Sequence, residues 1–449
     1  MPQRTRSRRR SVAATAVTAL GALTLAAPPA HAADINVPCD PAALVQAVAA
    51  ANATDAPDTL SLTPNCVYAL TAPADTAWNA GLPTIRGKLT INGNHSTIAR
   101  VQTAPQFRII SNWGDLTLNE VTIAGGHAPD GVGANSYGDG NSGGAGGGIQ
   151  NWGPLTITNS VITGNSAGAG APGADATATA SAGRGGLGGF GGGIASYSST
   201  PVALTITNSS ISNNTTGASG RGGNGTGTKP GGRGGSGGFG GGIDVTSGTI
   251  LRITGSSITG NIAADGAQGG SGGATRGGGG DGGSGGTGAG VFIATREGQP
   301  LNPVITGTTI TGNRAGRGGD AGVAGAGGYA GWAGFGGGGG GLGVFYDTLT
   351  LDGGTVSDNA AGEPGAGSSR LPASGGGIYT LRGHVTLVNG AVVSGNRPDN
   401  CESVADVPGC VNDLRAAGVQ RTDETTVRDR RADDLAVAEQ AASSAMPGK

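Results

Sequence analysis

Hydrolysis of a glycosidic bond needs two carboxyl groups about 5–9.5 Å apart, so carboxylates are the first side chains to test for chemistry. Asp347, Asp352 and Asp358 form the tightest central group, and Asp244 stands at a related strand. They fall in different parts of one repeat unit and no second unit repeats them. Asp433 and Asp434 lie in the C-terminal tail. A lyase would need an acidic cluster to hold calcium and a base to take the proton. The acids here are isolated in glycine loops and lysines are few. Gly278-Gly-Gly-Asp281 lacks the nine-residue spacing and large apolar residue of a calcium-binding nonapeptide. Arg86-Gly-Lys88 is a tripeptide pattern common by chance. There is no nucleophile elbow, phosphate loop or His-Glu-x-x-His, and the GxGxxG matches follow from glycine content. No catalytic, cofactor-binding or metal-ligating residue is assigned, and no cofactor is expected.

Aromatic side chains are the second candidates. Trp113 and Trp152 occupy matching places, in Asn-Trp-Gly-Asp and Asn-Trp-Gly-Pro. They could stack on sugar rings, but packing against each other in adjacent turns is the favoured reading. Tyr329 and Trp332 sit in an insert and are better placed for exposed contact. Phe190, Phe239 and Phe335 each precede a strand entry and could stack on one another.

These residues are positioned by a repeat. Six segments end in Ile or Val, two small or polar residues and Asn, from Ile162-Thr-Gly-Asn165 to Val393-Ser-Gly-Asn396. The Asn residues are 49, 47, 52, 46 and 37 positions apart. Strand entries such as Gly146-Gly-Gly-Ile149 and alternating strands such as Leu155-Thr-Ile-Thr complete each unit. Three short strands, with no connecting helices, fit neither a meander nor a doubly wound sheet. Stacking each coil on the last satisfies the backbone at about 4.8 Å and fills one long apolar interior, as in a parallel β-helix. The recurrent Asn is read as a structural ladder at a sharp corner. Between units lie inserts with glycine at every third residue, for example Gly231, Gly234, Gly237 and Gly240. Two readings stay open. The inserts pack as extended three-fold helices, or they are flexible glycine-rich loops.

The ends differ from the middle. Asp40-Pro41 starts a helix with Leu44, Val45 and Val48 on its apolar face, ending near Asn52 and plugging the N-terminal end of the core. Strands follow at Thr59–Leu62 and Val67–Leu70. Four cysteines allow three pairings; Cys39–Cys66 and Cys401–Cys410 are favoured because each closes a local loop. The first 32 residues read as an export signal: a basic region from Arg4 to Arg10, an apolar stretch over Ala13–Ala27, and Ala30-His31-Ala32 for cleavage. Ser7-Arg8-Arg9-Arg10-Ser11-Val12 matches a twin-arginine pattern. Its removal takes five Arg and leaves 22 basic and 29 acidic side chains, net −7, which argues against a nucleic-acid partner. No apolar run is long enough for a membrane span. With 95 glycines in 449 residues and aromatics at 4%, an ordinary enzyme core is hard to build.

The Gly-Gly-x-Ile entry with Ile-x-x-Asn resembles the polymorphic outer membrane protein repeat. It is also similar to secreted bacterial right-handed β-helix proteins with a pectin-lyase-like fold, over roughly residues 35–400. Leu89-Thr-Ile-Asn-Gly93 and Leu116-Thr-Leu-Asn119 look like their first coils. That resemblance implies an all-β, right-handed parallel β-helix solenoid, and in its adhesin members a surface passenger role. Here Ile or Val replaces Phe and the polygalacturonase-type Gly-His-Gly is absent: Ala128 follows His127 and Val385 follows His384. The expected organisation is a signal peptide (1–32), a cap helix with the first coil (33–84), the β-helix with its inserts (85–400), and a C-terminal cap with a charged tail (401–449). The tail over Thr425–Ala445 reads as a helix or as solvated chain. The expected function is a secreted, non-catalytic protein with a structural, adhesive or surface-binding role toward extracellular polysaccharide or cell-surface components. A polysaccharide lyase or glycoside hydrolase of the pectin-lyase-like group is the alternative. A glycan- or ice-binding solenoid, suggested by the Thr-rich strands, is the second alternative.

Overall fold

The computed structural model describes residues 32–54, 56–367 and 374–412, together with Ala436. Apart from Ala32, the export signal lies outside the described residues. So do Asp433 and Asp434 and, Ala436 apart, the tail over 425–445, read as a helix or as solvated chain.

The N-terminal elements are β1 (Asp34–Val37), α1 (Pro41–Ala51), β2 (Asp58–Leu62), β3 (Val67–Leu70), β4 (Lys88–Arg100), β5 (Ile110–Asn112) and β6 (Asp115–Ala124). Units of three strands follow: β7 (Ile149–Asn151), β8 (Leu155–Thr158) and β9 (Val161–Thr163); then β10 (Ile194–Tyr197), β11 (Val202–Thr207) and β12 (Ser210–Ser212). The next are β13 (Ile243–Thr246), β14 (Thr249–Thr254) and β15 (Ser257–Thr259), and β16 (Val291–Ala294), β17 (Val304–Thr306) and β18 (Thr309–Thr311). The last are β19 (Leu342–Phe345), β20 (Thr348–Asp352) and β21 (Thr355–Ser357), and β22 (Ile378–Leu381), β23 (His384–Val388) and β24 (Val392–Ser394). The first strand of each unit joins β5 in a seven-stranded sheet; the others form a seventeen-stranded sheet. Both sheets are parallel, and each strand pairs with its counterpart one unit away, the pattern of a solenoid-like stack.

The alternation of Leu-Thr-Ile-Thr sets the register. Ile157 pairs with Ile206, Ile206 with Ile253, Ile253 with Ile305 and Ile305 with Leu351, and all five are buried. A one-residue slip would turn each of them outward and replace it with Thr. Burying one such side chain is worth about 1.5–3 kcal/mol.

Two polar ladders hold the corners. Asn165 Nδ2 donates to Asn214 Oδ1 (2.9 Å), and Asn214, Asn261, Asn313 and Asn359 continue the line to Asn396 at 2.9–3.0 Å. Asn396 then donates to Asn400 at 3.0 Å, beyond the last repeat. The second ladder is absent from the sequence reading. Ser160, Ser209 and Ser256 each donate a backbone N–H to the hydroxyl of the next unit, ending on Thr308, at 3.1, 3.1 and 3.3 Å. Its signal was an Asn or Gly followed by Ser or Thr, because the first residue turns the chain through positive φ: Asn159 has φ 49° and Asn208 48°.

The described parts of the inserts are ordered, which decides between the two readings for them. In the insert between β12 and β13, Gly217, Gly220 and Gly223 donate N–H to Gly189, Gly186 and Gly183 of the preceding insert at 2.9–3.0 Å. On the return arm Gly231, Gly234 and Gly237 donate to Gly278, Asp281 and Ser284 of the following insert at 2.8–2.9 Å. Bonds advance three residues at a time, the period of an extended three-fold helix. A Cβ on Gly217 would stand 1.7 Å from the Gly168 carbonyl oxygen, so only glycine fits there.

Between these arms and the seven-stranded sheet lies a second core. Phe190 meets Phe239 at 5.7 Å as expected, and the rings continue through Phe292 (4.5 Å) to Phe345 (4.9 Å) and Tyr379 (5.7 Å). Phe335 is buried as well.

At the N-terminus Asp40 Oδ1 accepts from Ala42 N–H (3.0 Å), capping α1. The buried helix face is Leu44, Ala47, Val48 and Ala51, with Val45 only half-buried. β1, not anticipated from sequence, pairs with β2. Cys39–Cys66 and Cys401–Cys410 are both disulfides.

Candidate functional site

The four weighed carboxylates do different structural jobs. Asp347 is buried and accepts backbone N–H groups from Leu301, Asn302 and Thr348 at 3.2, 3.0 and 2.7 Å. Asp352 faces outward on β20 and accepts from the Asn389 amide at 2.5 Å. Asp358 is exposed at a corner with φ 56°. Asp244 lies on the outer face of β13, 1% exposed beneath the glycine arms. They belong to different strands, turns and faces, and share no bonded network.

Asp244 has buried polar neighbours that the sequence reading missed. Burial pushes its carboxyl up to about 7, opposed by the Tyr197 and Thr246 hydroxyls. Tyr197 is raised well above the usual phenol value, first by burial and then by Asp244. Yet Tyr197 OH and Asp244 Oδ2 each lack a partner at hydrogen-bond geometry. Arg108, acting on Tyr197 electrostatically, is held down to about 10 by burial; it donates to the Trp78 carbonyl and, at 3.2 Å, to that of Ala145. One sequence signal existed. Asp244 occupies a register position held by Ala195 and Phe292 in the flanking units.

The insert carboxylates also serve the backbone. Asp281 accepts from Trp332 N–H, Asp320 from Ala366 N–H and Asp265 from Arg317 N–H, each at 2.7 Å. Asp281 is the acid of the Gly278-Gly-Gly-Asp281 segment. The bond from Ala366, strengthened by Arg317, holds Asp320 below the usual carboxylate range. Lys88 pairs with Asp115 at 3.5 Å and Arg86 is exposed. His127 lies 3.7 Å from Asp130, and His384 lies 4.0 Å from Asp406. Among the described residues no group of three or more His, Cys, Asp or Glu could hold a metal ion.

Trp113 and Trp152 stack at 4.6 Å, and Trp78 packs on both at 4.9 and 5.3 Å, so these rings spend their faces on one another. Tyr329 and Trp332 are exposed.

The seventeen-stranded sheet presents the remaining candidate. Along β9, β12, β15, β18, β21 and β24 the outward residues at one register position are Thr163, Ser212, Thr259, Thr311, Ser357 and Ser394, hydroxyl side chains without a break. Every insert leaves after these strands and returns to the other sheet, so none interrupts the column.

No family model, curated protein or solved structure matches the chain. The resemblance therefore rests on the repeat itself, and the parallel stack is what the chain shares with that type of fold.

Proposed function

We propose that this chain is an exported, non-catalytic right-handed β-helix with a structural or adhesive, surface-binding role outside the cell. The observation that carries this reading is where its polar groups point. The Asn ladder, the Ser ladder and the insert carboxylates each satisfy the backbone or side chain of a neighbouring unit, and of the acids weighed for chemistry Asp347 and Asp352 are spent on local bonds. Such a chain is built to present an extended repetitive surface. A disulfide at each end supports an oxidising compartment, and among the described residues no helix is long and apolar enough to cross a membrane.

The test is a screen of the full-length secreted protein against acidic and neutral polysaccharides, with binding and product release both recorded. Retention without product is expected; turnover of any member would end this reading in favour of the pectin-lyase-like enzymes. The unbroken hydroxyl column favours the glycan- or ice-binding alternative as the form that surface binding takes.

A further inference from the structure

We infer that the outward face of β9, β12, β15, β18, β21 and β24 is an ice-binding surface. This rests on the non-catalytic, surface-binding reading and names its partner.

The argument begins with register. Beside the column from Thr163 to Ser394 runs a second, two residues earlier on each strand, in which Ser210, Ser257, Thr309 and Thr355 lie between Val161 and Val392. Successive units repeat at about 4.8 Å and the two columns stand about 6.6 Å apart along the strand, so the face is a two-dimensional grid of hydroxyls and methyls. The hydroxyls are partly fixed in advance: Ser212 Oγ donates to Thr163 Oγ1 (3.1 Å), Ser357 Oγ to Thr311 Oγ1 (3.5 Å), and Ser257 Oγ and Thr259 Oγ1 are 2.9 Å apart. Side chains held in place before contact lose little entropy on binding.

Charge selects the occupant. Neither column contains an acid, a base or an aromatic ring. An acidic polysaccharide or a charged protein would find no complementary group. A neutral glycan would find no ring to stack on, since exposed Tyr329 and Trp332 belong to an insert. A second copy would find a polar hydroxyl grid where a stable dimer needs an apolar centre. The partner that suits a neutral, repeating array of small donors, acceptors and methyls is itself a neutral, repeating array of donors and acceptors, which is ice. The grid spans six successive units without a side chain longer than Val or Thr, as close approach to a lattice plane requires.

The experiment measures ice recrystallisation inhibition and thermal hysteresis with the full-length protein. Thr259→Lys and Thr311→Lys test the face, and Thr179→Lys, at an exposed insert position, is the control. The wild type and control should inhibit growth, while each face variant should need about tenfold more protein for the same effect. Ser212→Thr, which keeps the hydroxyl, should retain activity and guards against loss through misfolding. Absence of ice activity in the wild type would overturn the inference, as would unchanged activity in both face variants. Lysine variants that abolish self-association or glycan retention while ice growth is unaffected would also overturn it. Each of these results leaves the non-catalytic reading standing, which only polysaccharide turnover would end.

Discussion

The interior behind β8, β11 and β14 and the glycine layer outside β10, β13 and β16 solve one stacking problem with different atoms. In the first, backbone pairing is confined to short strands, and Leu and Ile side chains fill the space between them. In the second, backbones approach so closely that side chains are excluded, and N–H to carbonyl bonds every third residue run both between neighbouring inserts and between the arms of one insert. Side-chain packing tolerates moderate change in volume, whereas backbone packing tolerates none at the contact positions. A mutation normally regarded as mild should therefore do most damage where the sequence looks most like a linker.

The largest effect is expected at Gly217. In an unstrained loop Gly→Ala stabilises by about 0.4–1 kcal/mol through the unfolded chain. Here the new Cβ would sit 1.7 Å from the Gly168 oxygen, a backbone atom that cannot rotate away. Gly217→Ala should destabilise by more than about 4 kcal/mol or open the insert locally, as measured by thermal melting and limited proteolysis; a neutral or stabilising outcome would mean the layer is loose. Next comes the apolar interior. Ile206→Ala should cost about 3 kcal/mol through the cavity it leaves, with the inserts remaining protease-resistant; their loss together with the core would merge the two regions into one cooperative unit.

Between the regions lies Asp244, whose effect should depend on pH with a definite sign. Its folded pKa of about 7 stands above the ordinary carboxylate value of 3.8 that it has in the unfolded chain, so its contribution to stability is fully present below the unfolded value and is lost as pH rises through 7. Asp244→Asn should accordingly stabilise the protein by up to about 4 kcal/mol at pH 8 and change little near pH 4. A melt series showing the same difference at both pH values would remove the buried carboxyl from the account. Asp320 has the opposite sign: held low by the Ala366 N–H, it supports the fold above its unfolded value and loses that support as pH falls through its folded pKa. Asp320→Ala should cost at most about 1 kcal/mol, seen as faster proteolysis of the insert around 360–366.

Much of the repeating architecture was legible in the residues, because period-two alternation and a recurrent Asn each have one economical explanation. Thr between two inward apolar residues must face outward, and Asn at a fixed corner can bond to its copy in the next unit. The Cys pairs were legible for the same local reason. The glycine layer was harder to read. A period of three is visible, but the bonds from Gly217, Gly220 and Gly223 reach back 28, 34 and 40 residues into the preceding insert, and glycine carries no side chain to advertise its neighbour. The Asp244, Tyr197 and Arg108 cluster was hidden because these residues are brought together only when the four successive coils of β5, β7, β10 and β13 stack. The role of the insert acids was hidden likewise, since a carboxylate that accepts a backbone N–H from the next unit looks in sequence like any exposed Asp.

Residue-resolved hydrogen exchange of the glycine amides tests the central claim most directly. Packed backbones predict that Gly217, Gly220 and Gly223 exchange as slowly as the amides of β11 and β14, since their N–H groups are bonded to the preceding insert. Exchange of these three at the rate of an open chain, with β11 and β14 still protected, would contradict it.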